Sequence, residues 1–132
     1  MTKIKLKTIV NPDFIWALSN IMKCSLPAKT SYWINKSFKK IQTAELDYQR
    51  IRIETAKKYC KINPDSNEIE FNKETKEIVF INDDMKLRFI QEITELNEQE
   101  VEIPTIDIDF DSFGDDVKIE PRILNLLEEI IK

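Results

Sequence analysis

The densest group of chemically reactive side chains is a set of aspartates near the C-terminal end of the chain. Its members are Asp107, Asp109, Asp111, Asp115 and Asp116. The first three stand at every second position, like the start of a calcium-binding loop, but Ser112 replaces the glycine and Lys118 the glutamate of that loop. We therefore predict no metal site here. We predict an acidic surface that binds a partner, such as the basic long helix of this chain or of another copy.

Residue types that many enzymes require are missing from this chain. It has no histidine and a single glycine, Gly114. These absences exclude phosphate-binding glycine loops, dinucleotide-binding sites, Ser-His-Asp and Cys-His catalysis, and zinc sites that contain histidine. Cys60 lacks a histidine to activate it, and no spacing singles out a catalytic pair among the carboxylates. We predict a protein that is not an enzyme and that binds no cofactor.

Charge is divided unevenly along the chain. Residues 1–62 carry 13 Lys and Arg against 4 Asp and Glu, whereas residues 63–132 carry 7 against 20, for net charges of +9 and −13. Such an asymmetry concerns association rather than fold. Two explanations are open. The two halves face each other within one molecule, or they meet basic and acidic partners, including further copies of the chain.

Composition indicates a globular protein that does not cross a membrane. Hydrophobic residues make up 42% and charged residues 33% of the 132 residues, and no apolar run approaches the length of a membrane span. The N-terminal segment alternates lysine with apolar residues and does not resemble a secretion signal, so we expect a cytosolic site of synthesis. Cys24 and Cys60 are then expected to be reduced thiols at opposite ends of a long helix.

Hydrophobic periodicity predicts an α+β fold: a helical hairpin with one long helix packed on a small antiparallel β-sheet, and a C-terminal helix. We expect one domain over residues 1–132, with a basic part (1–62) and an acidic part (63–132). The predicted elements are a strand over 3–9, a helix from Asn11-Pro12, a helix over 27–61, a β-hairpin of 68–71 and 77–81, a helix after Asn82, an alternating segment over 100–110 that Pro104 interrupts, a short strand at 117–119 and a helix from Glu120-Pro121.

The long helix carries apolar residues on two faces. One stripe, predicted to face the core, contains Ile34, Phe38, Ile41, Ala44, Tyr48, Ile51, Thr55 and Tyr59. The second contains Leu46, Ile53 and Cys60 at steps of seven, with Ala56 beside it. Either the second stripe binds another chain or the C-terminal segment folds back over it. We predict partner-binding residues at Leu46, Ile53, Lys57 and Lys58.

Other features of the basic half have ordinary structural explanations. Lysines on the N-terminal strand protect a sheet edge, and lysines on the long helix form a solvated face. Nucleic-acid binding is disfavoured because the acidic half would repel the same ligand. Trp16, Tyr32 and Trp33 could form a binding platform, but we expect them to close the helix–helix core.

Several segments together resemble one family of proteins. They are Ser25–Ile41, Asp47–Arg50, Ala56–Tyr59 and Ile119-Glu-Pro121 followed by Leu124-x-x-Leu127. In these segments the chain resembles a family of small, uncharacterised proteins of phages and prophages of low-GC Gram-positive bacteria. It departs from that family in having Asn63-Pro64-Asp65 in place of a glycine-containing turn. The resemblance implies a phage origin, with the protein in the host cytoplasm or the virion, and brings no catalytic residues with it.

These observations lead to two functional hypotheses. The first is a virion structural or assembly component that binds a phage protein or further copies of itself. The second is a host-directed inhibitor, such as an anti-defence protein, whose acidic surface blocks a basic or nucleic-acid-binding site of a host protein. An enzyme based on the aspartates is disfavoured because its catalytic partners are missing.

Overall fold

The structure is a computed structural model that describes residues 1–106 and 119–131. Its elements are β1 (Thr2–Lys5), α1 (Leu6–Ile9), α2 (Pro12–Met22), α3 (Ala28–Tyr59), α4 (Asp83–Asn97), β2 (Glu100–Ile103) and α5 (Pro121–Leu126). This confirms the α+β prediction, with one long helix, a small antiparallel sheet and a C-terminal helix. No helix among the described residues is long and apolar enough to cross a membrane.

The chain divides into two compact units. We call Met1–Leu46 together with Gln99–Lys132 the terminal unit, and Asp47–Glu98 the central unit. Helix α3 contributes residues to both of them. The prediction that residues 1–132 form one domain stays a prediction.

Each unit combines a basic segment with an acidic one. In the terminal unit, residues 1–46 carry 8 basic and 2 acidic side chains and residues 99–132 carry 3 and 10, so the unit has a net charge of −1. In the central unit, residues 47–61 carry 5 and 2 and residues 62–98 carry 4 and 10, for a net charge of −3. The asymmetry along the sequence is therefore largely neutralised within each unit, which favours the intramolecular explanation.

The antiparallel pairing of β1 with β2 shows this neutralisation residue by residue. Lys3 lies opposite Glu102 and Lys5 lies opposite Glu100. Opposite charges at directly facing positions stabilise a sheet, so the lysines of this strand face glutamates across the ladder. Ile4 of β1 and Ile103 of β2 are completely buried.

The predicted strand over residues 3–9 was wrong after Lys5. Residues Leu6–Ile9 form a helical turn, in which Leu6 and Ile9 are both buried. Their spacing of three suits one face of a helical turn, whereas a continued strand would place them on opposite faces.

The helix starts agree with their local sequence signals. The Asn11 side chain accepts a hydrogen bond from the backbone N–H of Asp13 at 2.9 Å, and Pro12 occupies the first turn of α2. Asn82 caps α4 in the same way through the N–H of Met85. Pro121 opens α5 as predicted. In each case the side chain or the proline satisfies a constraint that exists only at a helix N-terminus.

Three contacts tie the C-terminal part of the chain into the terminal unit. The Arg122 guanidinium lies 4.7 Å from the centre of the Trp16 ring, and its Nη2 lies 3.8 Å from Asp13 Oδ1. The hydroxyl of Ser37, which is fully buried on α3, donates a hydrogen bond to the Pro104 carbonyl at 3.0 Å. Pro104 directly follows β2 and ends it, as the sequence predicted.

The central unit contains an arrangement that the predicted hairpin describes only in part. Phe71 bridges Ile78 in antiparallel fashion, as expected for a hairpin, but residues 60–62 join both of its strands. The Glu70 N–H donates to the Lys61 carbonyl, the Val79 N–H to Glu70, and the Lys61 N–H to Val79, at 2.8–3.0 Å. We call residues 60–62, 69–71 and 78–80 the three-segment ring, because these bonds form a closed cycle.

A repeat of nine residues generates this ring. Asn63-x-x-Ser-x-Glu-Ile69 is followed by Asn72-x-x-Thr-x-Glu-Ile78. The Oδ1 atoms of Asn63 and Asn72 each accept the backbone N–H two residues later, at 2.9 and 2.8 Å. Asn67 and Lys76, nine positions apart, both have positive φ, at 56° and 60°. The two loops therefore have the same construction.

The second loop places an unfavourable residue in this left-handed conformation. Asparagine adopts it readily, but a lysine with positive φ is strained. We expect Lys76→Asn, which copies the first loop, to raise the free energy of unfolding by about 0.5–1 kcal/mol. Urea unfolding monitored by circular dichroism measures the change. Lys73→Asn in the same loop is the control. Equal stabilisation by both variants would contradict a conformational cause.

Candidate functional site

An apolar groove of about 240 Å³ crosses the surface of the central unit. Helix α3, the three-segment ring and α4 supply its walls, which consist of Gln49, Arg52, Ile53, Ala56, Ile69, Phe71, Ile78 and Phe89. The four α3 residues follow one another at steps of three, one and three, which places them within about 100° of each other on one side of the helix. We refer to this feature as the apolar groove.

The groove has a buried floor and an exposed rim. Ala56, Cys60 and Phe89 are buried and form a small core with Ile69, Ile78 and other apolar side chains. On the rim, Ile53 is 52% exposed and Phe71 is 58% exposed. Apolar side chains of this size, side by side and open to solvent, mark a binding surface more often than isolated ones do.

A second, more polar depression adjoins the apolar groove. The two share Ile69 and Phe71, and the second is also lined by Asn63, Ser66, Glu68, Glu70 and Lys73. The loops of the nine-residue repeat supply most of these polar residues, and the three-segment ring supplies Glu70. Phe71 is thus exposed to both depressions.

The structure divides the second stripe of α3. Ala56 and Cys60 are buried in the core of the central unit, whereas Leu46 and Ile53 are exposed. Ile53 lines the apolar groove, and Leu46 belongs to the terminal unit. Lys57 and Lys58 are exposed on α3. Partner binding by these four residues stays a prediction.

The residues of the predicted acidic surface, 107–116, lie outside the described residues. Their role as a partner-binding surface stays a prediction. Within the described part of the chain, no group of three acidic or cysteine side chains is arranged to hold a metal ion.

The aromatic residues near the α2–α3 connection are more exposed than the sequence suggested. Tyr32 is 52% exposed and Trp16 and Trp33 are each 39% exposed, so the predicted burial of these three residues in a helix–helix core was wrong. It packs edge-on against Trp33 at 5.3 Å between ring centres, and Lys36 Nζ lies 5.0 Å from the Tyr32 ring centre. Tyr32, Trp33 and Lys36 thus contact one another on the first turns of α3.

The cysteines agree with the predicted thiols, since both are free. Burial raises the pKa of the Cys60 thiol. A raised pKa lowers the thiolate fraction at neutral pH, and the thiolate is the nucleophilic form. Cys60 therefore acts as a packing residue of the core and is a poor nucleophile.

Beside this core, the side chains of Tyr59 and Glu92 form a polar pair. Burial raises the pKa of Tyr59, and a hydrogen bond to Glu92 and the charge of that carboxylate raise it further, while Arg88 acts in the opposite direction. Glu92 Oε2 is buried and has no hydrogen-bond partner among the described residues. The arrangement favours a neutral tyrosine that donates to a carboxylate.

This pair predicts a specific loss of stability at high pH. The folded protein keeps the Tyr59 proton at a pH where the unfolded chain releases it, about pH 10. The resulting stabilisation is complete below that pH and is lost as pH rises through the folded pKa. We expect Glu92→Gln to lower the pKa of Tyr59, measured from the ultraviolet absorbance of tyrosinate. Glu74→Gln, on an exposed loop, is the control, and identical titration curves for the two variants would contradict the pairing.

Comparison of the chain with protein-family models, curated proteins and solved structures finds no match. The phage family therefore remains a resemblance, and the function has to be argued from the groove itself.

Proposed function

We propose that this protein is not an enzyme and that it acts by binding another protein through the apolar groove. The supporting observation is the pair of large apolar side chains, Ile53 and Phe71, that stand more than half exposed above a buried floor. A partner side chain of the size of leucine or phenylalanine that becomes buried there contributes about 1.5–3 kcal/mol. That is the magnitude of a dominant residue in a protein interface.

Rigidity of the walls supports the same role. The ring side of the groove is fixed by a closed cycle of backbone hydrogen bonds. On the α4 side, Phe89 packs against Phe80 with ring centres 5.4 Å apart. A groove whose walls are already ordered loses little conformational entropy on binding, and that entropy is a main cost of association.

We propose a virion structural or assembly component as the biological context. The resemblance to phage proteins supports the phage origin, and the groove supports binding. The host-directed inhibitor is the weaker proposal, because an inhibitor that blocks a basic site must present carboxylates. The charged residue that lines the groove is Arg52, which does not supply the carboxylates that such an inhibitor would present. The host cytoplasm and the virion are the proposed locations.

A capture experiment with groove variants tests this proposal. The tagged full chain is expressed in phage-infected host cells, and the proteins that co-purify and those in purified virions are identified by mass spectrometry. Ile53→Asp places a charge in the groove, and we expect it to reduce recovery of a phage structural protein at least about tenfold. The side chain is exposed, so the variant should fold, which a thermal melt verifies.

Leu87→Asp provides the matched control. Leu87 is 66% exposed on α4 and does not line the groove. Equal loss of the partner in both variants would show a general effect of surface charge and would sink the groove as the binding site. Capture of a single host protein, together with absence from virions, would favour the inhibitor.

A further inference from the structure

We propose that the apolar groove binds a segment of a partner protein in which apolar side chains lie between carboxylates. The inference rests on the proposed function, because it specifies the partner of the same groove. It depends on which charged side chains face the groove and which face away from it.

The α3 side of the groove is positively charged. Arg52 lines the groove directly. Lys57 follows Ile53 by four residues, so it lies one turn further along the same helix face. Lys58 lies about 100° further around the helix, away from the groove. Of the two lysines predicted from the sequence, helical phase thus places Lys57 beside the groove.

On the ring side, the carboxylates alternate with the groove-lining residues. Glu70 stands between Ile69 and Phe71, and Glu77 directly precedes Ile78. Successive side chains of an extended segment point to opposite sides, so these glutamates project away from the side on which the apolar residues line the groove. Glu70 lines the second depression together with Glu68 and Lys73, and that depression shares Ile69 and Phe71 with the groove.

The groove therefore presents an apolar centre with Arg52 on its lining and Lys57 beside it on α3. Arginine binds carboxylates through two parallel hydrogen bonds, and the lysine acts as a point charge. A carboxylate-flanked apolar segment matches this pattern in both shape and charge. A nucleic acid does not, because its phosphates would gain nothing from the apolar floor.

A peptide tests the inference with the full-length protein. The probe is a fluorescently labelled synthetic peptide with the sequence Ile-Asp-Ile-Asp-Phe-Asp, and the control peptide replaces each aspartate with asparagine. We expect fluorescence anisotropy to show binding of the acidic peptide at least about tenfold tighter than the control at low salt. Raising the salt concentration should reduce the difference, because partly exposed charges are screened.

Charge-reversal variants locate the contact. Arg52→Glu and Lys57→Glu should each weaken the acidic peptide by about tenfold or more and leave the asparagine peptide unchanged. Lys58→Glu, an equal change of charge next along the chain, should weaken it less than Lys57→Glu. Lys40→Glu, also exposed on α3 but in the terminal unit, is the control.

The outcomes separate this inference from the proposed function. Equal binding of the two peptides, or equal effects of Lys57→Glu and Lys40→Glu, would overturn the acidic partner. If Ile53→Asp still abolished capture of the phage partner in that case, the groove would remain the binding site for a partner of different chemistry. Tighter binding of a single-stranded oligonucleotide than of the acidic peptide would overturn the inference in favour of a nucleic-acid ligand.

Discussion

The structure depends on one uninterrupted helix that serves two cores. Helix α3 spans 32 residues and contains neither glycine nor proline. Ile34 and Ile41 belong to the terminal unit, whereas Tyr48 and Ala56 belong to the central unit, and all four are buried. A helix of this length gains most of its stability from packing of its apolar positions rather than from propensity. The position of each residue around the helix axis therefore determines whether its side chain packs in one of the cores or, like Ile53, stays exposed.

The three-segment ring supplies the second constraint. Its segments are too short for a conventional sheet, so a closed cycle of backbone hydrogen bonds and two asparagine-based loops satisfy their polar groups. The cycle holds Ile69, Phe71 and Ile78 opposite α3 and Phe89. The groove lies between a helix face and this ring, and the buried Phe89 forms part of its lining.

Sequence reasoning was most successful where a few adjacent residues carry the cause. Asn11-Pro12, Asn82 and Glu120-Pro121 each start a helix in the structure, since capping and the fixed φ of proline act within a few residues. The strand was extended too far beyond Lys5 because alternation over a short segment does not distinguish a strand from a helical turn. The nine-residue repeat specifies two similar loops, whereas the pairing of residues 60–62 with both strands of the hairpin depends on hydrogen bonds between separate segments, which local sequence does not indicate.

The sequence by itself determined the starts of α2, α4 and α5, most of the apolar core face of α3 and the absence of histidine-based chemistry, since all of these follow from residue type and local spacing. Ile51, which the same spacing predicted to face the core, is exposed. The sequence also indicated Ile53 as a residue open to a partner. Only the tertiary structure decided that Cys60 and Ala56 are buried while Ile53 lines a groove, and that the basic and acidic halves are combined within each unit. Those outcomes depend on contacts between residues far apart in the chain, such as Lys3 with Glu102 and Ala56 with Phe89, and local periodicity carries no information about such contacts.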